Sequence, residues 1–159
     1  MKNKLYIIPG HGQTTRLKPY QEIFKHASKK YDVVMINPKW KRSLSSQIFL
    51  TTKNDIIFGF SLGALLAYMV AQKYPHKKVI AASMSPILEL PDKIIRQLGK
   101  KKYLDFKKFK YGGVKVVSLC GEFEINEIKK NNKKLKGLVI PDTGHELTKQ
   151  YIKSIYKLL

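Results

Sequence analysis

The sequence predicts an α/β fold, a three-layer sandwich with helices on both faces of a mostly parallel sheet. Short apolar runs alternate with helical patterns along the whole of the 159 residues, which is typical of a parallel sheet with right-handed crossovers. With 43% hydrophobic residues the chain can bury a core of useful size. No internal repeat or low-complexity linker interrupts the pattern, so we expect a single domain over residues 1–159.

The first third of the chain predicts two strands and two helices. The apolar run Leu5–Ile8 ends at a Gly-rich loop, as expected of a buried strand. An amphipathic helix with Pro19 in its first turn is then predicted by apolar residues at spacings of three and four: Tyr20, Ile23, Phe24, Ala27 and Tyr31. Asp32–Asn37 is predicted to be the second strand, and Ser43–Thr52 a short helix.

The central stretch predicts a strand that turns directly into a helix. Asp55–Phe60 is short and apolar, as expected of a strand buried on both faces. Leu62–Tyr74 is rich in Ala and Leu, which favours a helix. The apolar segment Ile56–Ala71 is shorter than the roughly 20 residues that cross a bilayer, so we interpret it as part of the core.

The remaining elements follow the same alternation. Three further strands are predicted at Lys78–Ser85, Val114–Leu119 and Gly137–Ile140. Helices are predicted at Lys93–Leu98, at about Asn126–Lys134 and at the C-terminus. The last of these has an apolar stripe of Leu147, Tyr151, Ile155 and Leu158.

A G-x-S-x-G motif, Gly59-Phe60-Ser61-Leu62-Gly63, lies between the central strand and its helix. A strand that turns straight into a helix leaves no room for side chains two places either side of the central residue. The turn raises the Ser61 hydroxyl above the sheet and brings the first helix amides beside it, where they could stabilise a developing negative charge.

This motif in this context resembles the nucleophile elbow of the α/β-hydrolase superfamily, and the resemblance extends over the whole chain. It implies a six-stranded sheet of order 2-1-3-4-5-6, which lacks the two leading strands of the family. It also implies that residues at about 87–111 form a small cap-like insertion, or only a helix that covers one sheet face.

The resemblance implies a triad in the chain order serine, acid, histidine. His145, after the sixth strand, matches the family's late loop and is the predicted base; His26 and His76 are expected to be solvent-exposed. Thr143 and Glu146 also have capping-box spacing, which would place His145 inside the first turn of the last helix. The two interpretations are compatible.

The predicted acid is Glu124, because the family usually has the acid three residues after a glycine, here Gly121. Glutamate in place of the commoner aspartate is a departure from the family. Glu122 is the alternate acid, and Asp142 is a more distant one because it nearly adjoins the histidine.

Two backbone amides are predicted to form an oxyanion hole. The Leu62 amide follows Ser61, and the loop Gly10-His11-Gly12-Gln13 resembles the family's H-G-x, which makes the Gln13 amide the second donor. The ring of His11 is expected to be structural, bonded to loop backbone.

No metal and no nucleotide cofactor is predicted, because neither ligand spacings nor phosphate-binding glycine motifs occur. The single Cys120 excludes an internal disulfide and is expected to be buried and inert. Together with the lack of a visible signal peptide, it indicates a cytoplasmic protein.

The net charge of +20 allows an anionic partner such as nucleic acid or a membrane surface. The charge comes from 28 Lys against 3 Arg and is spread over the chain, which favours a solvated surface instead. The sequence therefore predicts a serine hydrolase, of esterase or thioesterase type, acting on a small acyl substrate. The alternative is a weakly active or inactive hydrolase-fold protein that binds nucleic acid or anionic lipid.

Overall fold

Six parallel strands form one sheet in the order β2-β1-β3-β4-β5-β6, as predicted. The computed structural model describes residues 2–84, 93, 96, 112–126 and 137–159. Its strands are β1 (Lys4–Ile8), β2 (Asp32–Met35), β3 (Ile56–Phe60), β4 (Lys78–Ala82), β5 (Val116–Gly121) and β6 (Gly137–Ile140).

Three helices of two or more turns are described: α1 (Lys18–Ala27), α2 (Leu62–Lys73) and α3 (Lys149–Leu158). Pro19 lies in the first turn of α1, where its missing N–H costs nothing. The side chain of Thr148 accepts a hydrogen bond from the Tyr151 amide and so caps α3. The capping box predicted at Thr143 and Glu146 is therefore wrong, and His145 lies in the loop before the helix.

Alternate residues of the central strands face opposite layers. Ile57 and Val79 pack in a core cluster with α2, whereas Ile56, Phe58 and Ile80 pack in a second cluster that includes residues of α1 and α3. Because β1, β3 and β4 are covered on both faces, their strands are almost entirely apolar, as expected of a parallel sheet. The predicted three-layer sandwich is confirmed.

The helix predicted at Ser43–Thr52 is wrong, since the segment forms only a short 3-10 helix, Ser45–Gln47. Polar side chains in this segment donate hydrogen bonds to nearby backbone carbonyls, which in a helix would accept from backbone amides. The Ser46 hydroxyl and the Gln47 amide group both donate to the Ser43 carbonyl, at 2.8 and 3.1 Å. Such local bonds compete with helical ones.

Several predicted elements lie outside the described residues. Two of them are the cap-like insertion at about 87–111 and, within it, the helix at Lys93–Leu98, of which only positions 93 and 96 are described. Most of the helix at Asn126–Lys134 is the third. In the described parts of the chain no helix is long and apolar enough to cross a membrane. The apolar segment Ile56–Ala71 is divided between β3 and α2.

Candidate active site

Ser61 occupies a strained turn between β3 and α2. Its φ is +55°, a value that non-glycine residues seldom adopt. A Cβ on Gly59 would lie 2.3 Å from the Gly63 carbonyl oxygen, and one on Gly63 would lie 2.2 Å from that of Pro9. Both glycines are therefore needed for close backbone approach, which is the physical reason predicted for the motif.

The structure brings Ser61, His145 and Glu124 together in one hydrogen-bonded chain. His145 Nε2 lies 2.8 Å from Ser61 Oγ, and His145 Nδ1 lies 2.7 Å from Glu124 Oε2. The carboxylate at Nδ1 holds the proton on that nitrogen, which leaves Nε2 to accept the serine proton. The side chain of Glu124 is 8% exposed and that of His145 is 49% exposed, so the carboxylate is buried while the imidazole is open to solvent.

The loop of His145 is attached directly to the loop of the acid. The Phe123 amide donates to the Thr143 carbonyl at 3.1 Å, and the Asp142 amide donates to Glu122 Oε2 at 3.0 Å. A Cβ on Gly121 would lie 2.3 Å from the Thr143 carbonyl oxygen. A glycine is thus required at position 121 for these two loops to meet. The position of Gly121 in the sequence, three residues before Glu124, did not reveal this role.

Glu124 has further partners that the sequence did not suggest. Its Oε1 accepts from the Gly121 amide at 2.8 Å and from the hydroxyl of Ser83. Ser83 is fully buried and contacts the phenol oxygen of Tyr151, at 2.9 Å. Neither residue belongs to a motif, so only the fold reveals them.

The loop after β1 corrects one predicted site residue. The Gln13 amide donates to the Gly10 carbonyl at 3.1 Å and closes a turn, so it is not directed at an oxygen on Ser61. The Leu62 amide, at the first position of α2, makes no hydrogen bond among the described residues. A Cβ on Gly10 would lie 3.1 Å from the Ser61 Cβ, so the loop does border the serine, but through Gly10.

The side chain of Gln13 is held beside Gly10. Its Oε1 accepts from the Tyr20 hydroxyl at 2.5 Å and from the Gly10 amide at 3.2 Å. Burial raises the pKa of Tyr20, so this phenol keeps its proton. His11 in the same loop is exposed, and its ring packs edge-on against that of Trp40, with ring centroids 5.5 Å apart. The next residue, Gly12, has a φ of +75°.

The other candidates lie elsewhere. Glu122 bonds the Asp142 amide rather than His145. His26 stacks on Tyr156 with ring centroids 3.8 Å apart, and His76 Nδ1 lies 3.1 Å from the Tyr74 carbonyl. Both histidines are half-buried, so the prediction that they are solvent-exposed is wrong.

No metal site can be identified in the part of the chain that the structure describes, where no three His, Cys, Asp or Glu side chains cluster suitably. Cys120 is a buried free cysteine at the end of β5. Ser61, His145 and Glu124 are joined by contacts of 2.8 and 2.7 Å, the arrangement in which a histidine could activate a serine.

No protein-family profile and no curated protein matches the sequence. Solved structures do match. The α/β hydrolase GrgF from Penicillium sp. sh18 aligns with a TM-score of 0.67 at 10% identity, over 99% of this chain and 87% of that one. Est1E from Butyrivibrio proteoclasticus aligns with a TM-score of 0.64 at 15% identity, over 99% and 85%.

A third match, the α/β hydrolase enzyme MGS-MChE2 from a lagoon-sediment metagenome, has a TM-score of 0.57 at 16% identity over 99% of this chain and 89% of that one. The chain therefore has the α/β-hydrolase fold, with the sheet order that the sequence resemblance implied.

Proposed function

We propose that this protein is a serine hydrolase, of esterase or thioesterase type, that cleaves a small acyl substrate through an acyl-enzyme. The observation that carries the proposal is the continuous chain from Glu124 through His145 to Ser61, with contacts of 2.7 and 2.8 Å. The structural neighbours named as hydrolases support the general class. A fold alone does not identify a substrate.

In the first half-reaction, Ser61 Oγ attacks the acyl carbonyl carbon while its proton passes to His145 Nε2. The carbonyl electron pair moves to oxygen and forms a tetrahedral oxyanion. Its collapse breaks the bond to the leaving alcohol or thiol, which takes the proton from His145. The acyl group remains on Ser61, and Glu124 stabilises the transient imidazolium.

In the second half-reaction, water takes the place of the leaving group. His145 Nε2 accepts a proton from the water as its oxygen attacks the acyl carbon. The second tetrahedral intermediate then expels Ser61 Oγ, which recovers the proton. The free acid leaves, and the three residues return to their starting protonation states.

The oxyanion would be stabilised by backbone donors. The Leu62 amide lies at the N-terminus of α2, where the helix dipole favours negative charge. Because the Gln13 amide bonds to the Gly10 carbonyl, we assign the second donor to the loop after β1 only as a whole, which borders Ser61 at Gly10. Each such donor contributes about 10²–10³-fold in rate.

A fluorophosphonate probe tests the proposal because it forms a covalent bond only with an activated serine. The wild-type protein should be labelled, and Ser61→Ala should not. Ser46→Ala is the matched control, since this serine lies in the exposed surface 3-10 helix and its loss should leave labelling unchanged. Hydrolysis of p-nitrophenyl acetate and of an acetyl thioester would then separate ester from thioester preference.

A folded wild-type protein that is never labelled would refute the proposal. That result, together with salt-sensitive retention on nucleic acid or anionic vesicles, would favour the alternative of a basic binding protein. The affinity of such a protein should fall steeply between low and physiological salt, because binding would release counterions.

A further inference from the structure

Ser83 is buried in an unusual backbone conformation directly beside the acid. It follows the last residue of β4 and has a φ of +45°, yet its side chain is fully buried. Its amide donates to the Leu119 carbonyl at 2.7 Å, which holds it against β5. A non-glycine residue seldom adopts this conformation, and it persists only where the surrounding structure holds it there.

The proton count fixes the direction of the hydrogen bonds. An ionised Glu124 can only accept, so the single hydroxyl proton of Ser83 goes to Glu124 Oε1. Tyr151 lies 2.9 Å from the Ser83 oxygen and must therefore be the donor of that pair. The bonds run in series, from Tyr151 to Ser83 to Glu124 to His145.

Tyr151 is suited to this role because it cannot easily lose its proton. It is fully buried in the first turn of α3 and packs edge-on against Phe60, with ring centroids 6.3 Å apart. Burial raises its pKa most strongly; the bond to Ser83 lowers it, and the neighbouring Glu124 carboxylate raises it further. The phenol stays neutral and remains a donor.

We infer that Ser83 and Tyr151 are positioning residues for the acid: in series, they hold Oε1 of Glu124 and so keep Oε2 directed at His145. With Oε1 bound to both the Ser83 hydroxyl and the Gly121 amide, the carboxylate cannot rotate away from the base. The inference depends on the proposed hydrolase function, because it assigns the two residues to that same triad.

Three variants test the inference by removing one group at a time. Ser83→Ala should lower kcat by about 10–100-fold with little change in KM, because a hydrogen bond to a charged group is lost. Tyr151→Phe keeps the ring and should lower kcat by about threefold to tenfold. Tyr156→Phe is the matched control on α3; its hydroxyl donates to the Glu22 carbonyl, and kcat should not change.

Two readouts separate positioning from a merely structural role. Because the groups act in series, loss of the Tyr151 hydroxyl should matter little once the Ser83 hydroxyl is gone. The kcat of the double variant Ser83→Ala/Tyr151→Phe should therefore lie within about twofold of the kcat of Ser83→Ala alone. The acid limb of the pH profile of kcat/KM, which reports protonation of the base, should also move to higher pH in Ser83→Ala, because a carboxylate with one donor fewer presents more negative charge to His145 and favours the protonated imidazole. Ser83→Gly relieves the positive φ without restoring the hydroxyl, so its kcat should stay low.

The outcomes distinguish the two proposals. A wild-type protein without fluorophosphonate labelling overturns both. A labelled, active wild type whose Ser83→Ala variant keeps full kcat and the same pH profile overturns the positioning role alone. Recovery of wild-type kcat in Ser83→Gly would likewise show that Ser83 affects only backbone strain.

Discussion

Gly121 offers a sharp test of how the two catalytic loops meet. In Gly121→Ala the new Cβ would lie 2.3 Å from the Thr143 carbonyl oxygen and 2.5 Å from that of Gly144. An ordinary carbon–oxygen contact is about 3.3 Å, so the loop before His145 must retreat by roughly 1 Å. The atom it would strike first already accepts the Phe123 amide bond.

The retreat should weaken catalysis more than it weakens folding. His145 Nδ1 is 2.7 Å from Glu124 Oε2, and a further 1 Å exceeds hydrogen-bonding distance. We expect kcat/KM for an activated ester to fall by about 10²-fold, as for other 1 Å misplacements. The unfolding free energy should fall by about 1–3 kcal/mol, the usual cost of overpacking.

The matched control is Gly144→Ala, in the same loop and next to His145. A Cβ there would meet no heavy atom within 4 Å, so activity should be close to that of the wild type. Both variants would be assayed for ester hydrolysis and urea unfolding. Full activity in Gly121→Ala, or an equal loss in both variants, would refute the argument from close approach.

Three further predictions follow from the same geometry. Glu124→Gln should lower kcat by about 10²–10⁴-fold. Glu122 bonds the Asp142 amide and not His145, so Glu122→Gln should keep a kcat near that of the wild type. Ester hydrolysis measures both variants, and equal losses would contradict the assignment of the acid. Gly63→Ala places a Cβ 2.2 Å from the Pro9 carbonyl oxygen and should lower the urea midpoint by an amount equivalent to about 3 kcal/mol; an unchanged midpoint would contradict the elbow geometry. Because burial raises the pKa of Tyr20 above 10.0, the unfolded phenol ionises first, so above pH 10 this residue alone should lower stability by about 1.4 kcal/mol per pH unit; urea unfolding should show a decline that is flatter by that amount for Tyr20→Phe.

Hydrophobic patterning predicted most of the fold because the central strands are covered on both faces. Their apolar runs, separated by helical periods, leave few other arrangements for residues such as Ile57 and Val79. Patterning failed at Ser43–Thr52, where local side-chain bonds decide the conformation. It also misplaced the start of the last helix, because Thr148 and not Thr143 accepts the hydrogen bond from the Tyr151 amide in the first turn.

The candidate site was predictable where chemistry imposes a local pattern and not where it depends on packing. Ser61 is marked by its glycines, because the tight turn requires them. The Gln13 amide was predicted wrongly, since sequence does not show that it bonds to Gly10. Ser83 gave no signal at all, because its burial and its contact with Glu124 arise from strands that are distant in the chain.

The departure from aspartate to glutamate has a structural explanation in the turn that carries Glu124. The residue ends the 3-10 helix Glu122–Glu124, and its side chain folds back so that Oε1 bonds the Gly121 amide. The extra methylene lets the side chain fold back in this way while Oε2 stays 2.7 Å from His145 Nδ1. An aspartate at the same position would be shorter by one carbon and could not reach both partners from this backbone. The longer acid is therefore matched to its anchors at Gly121 and Ser83, and in the proposed triad these three groups act as one unit that orients His145.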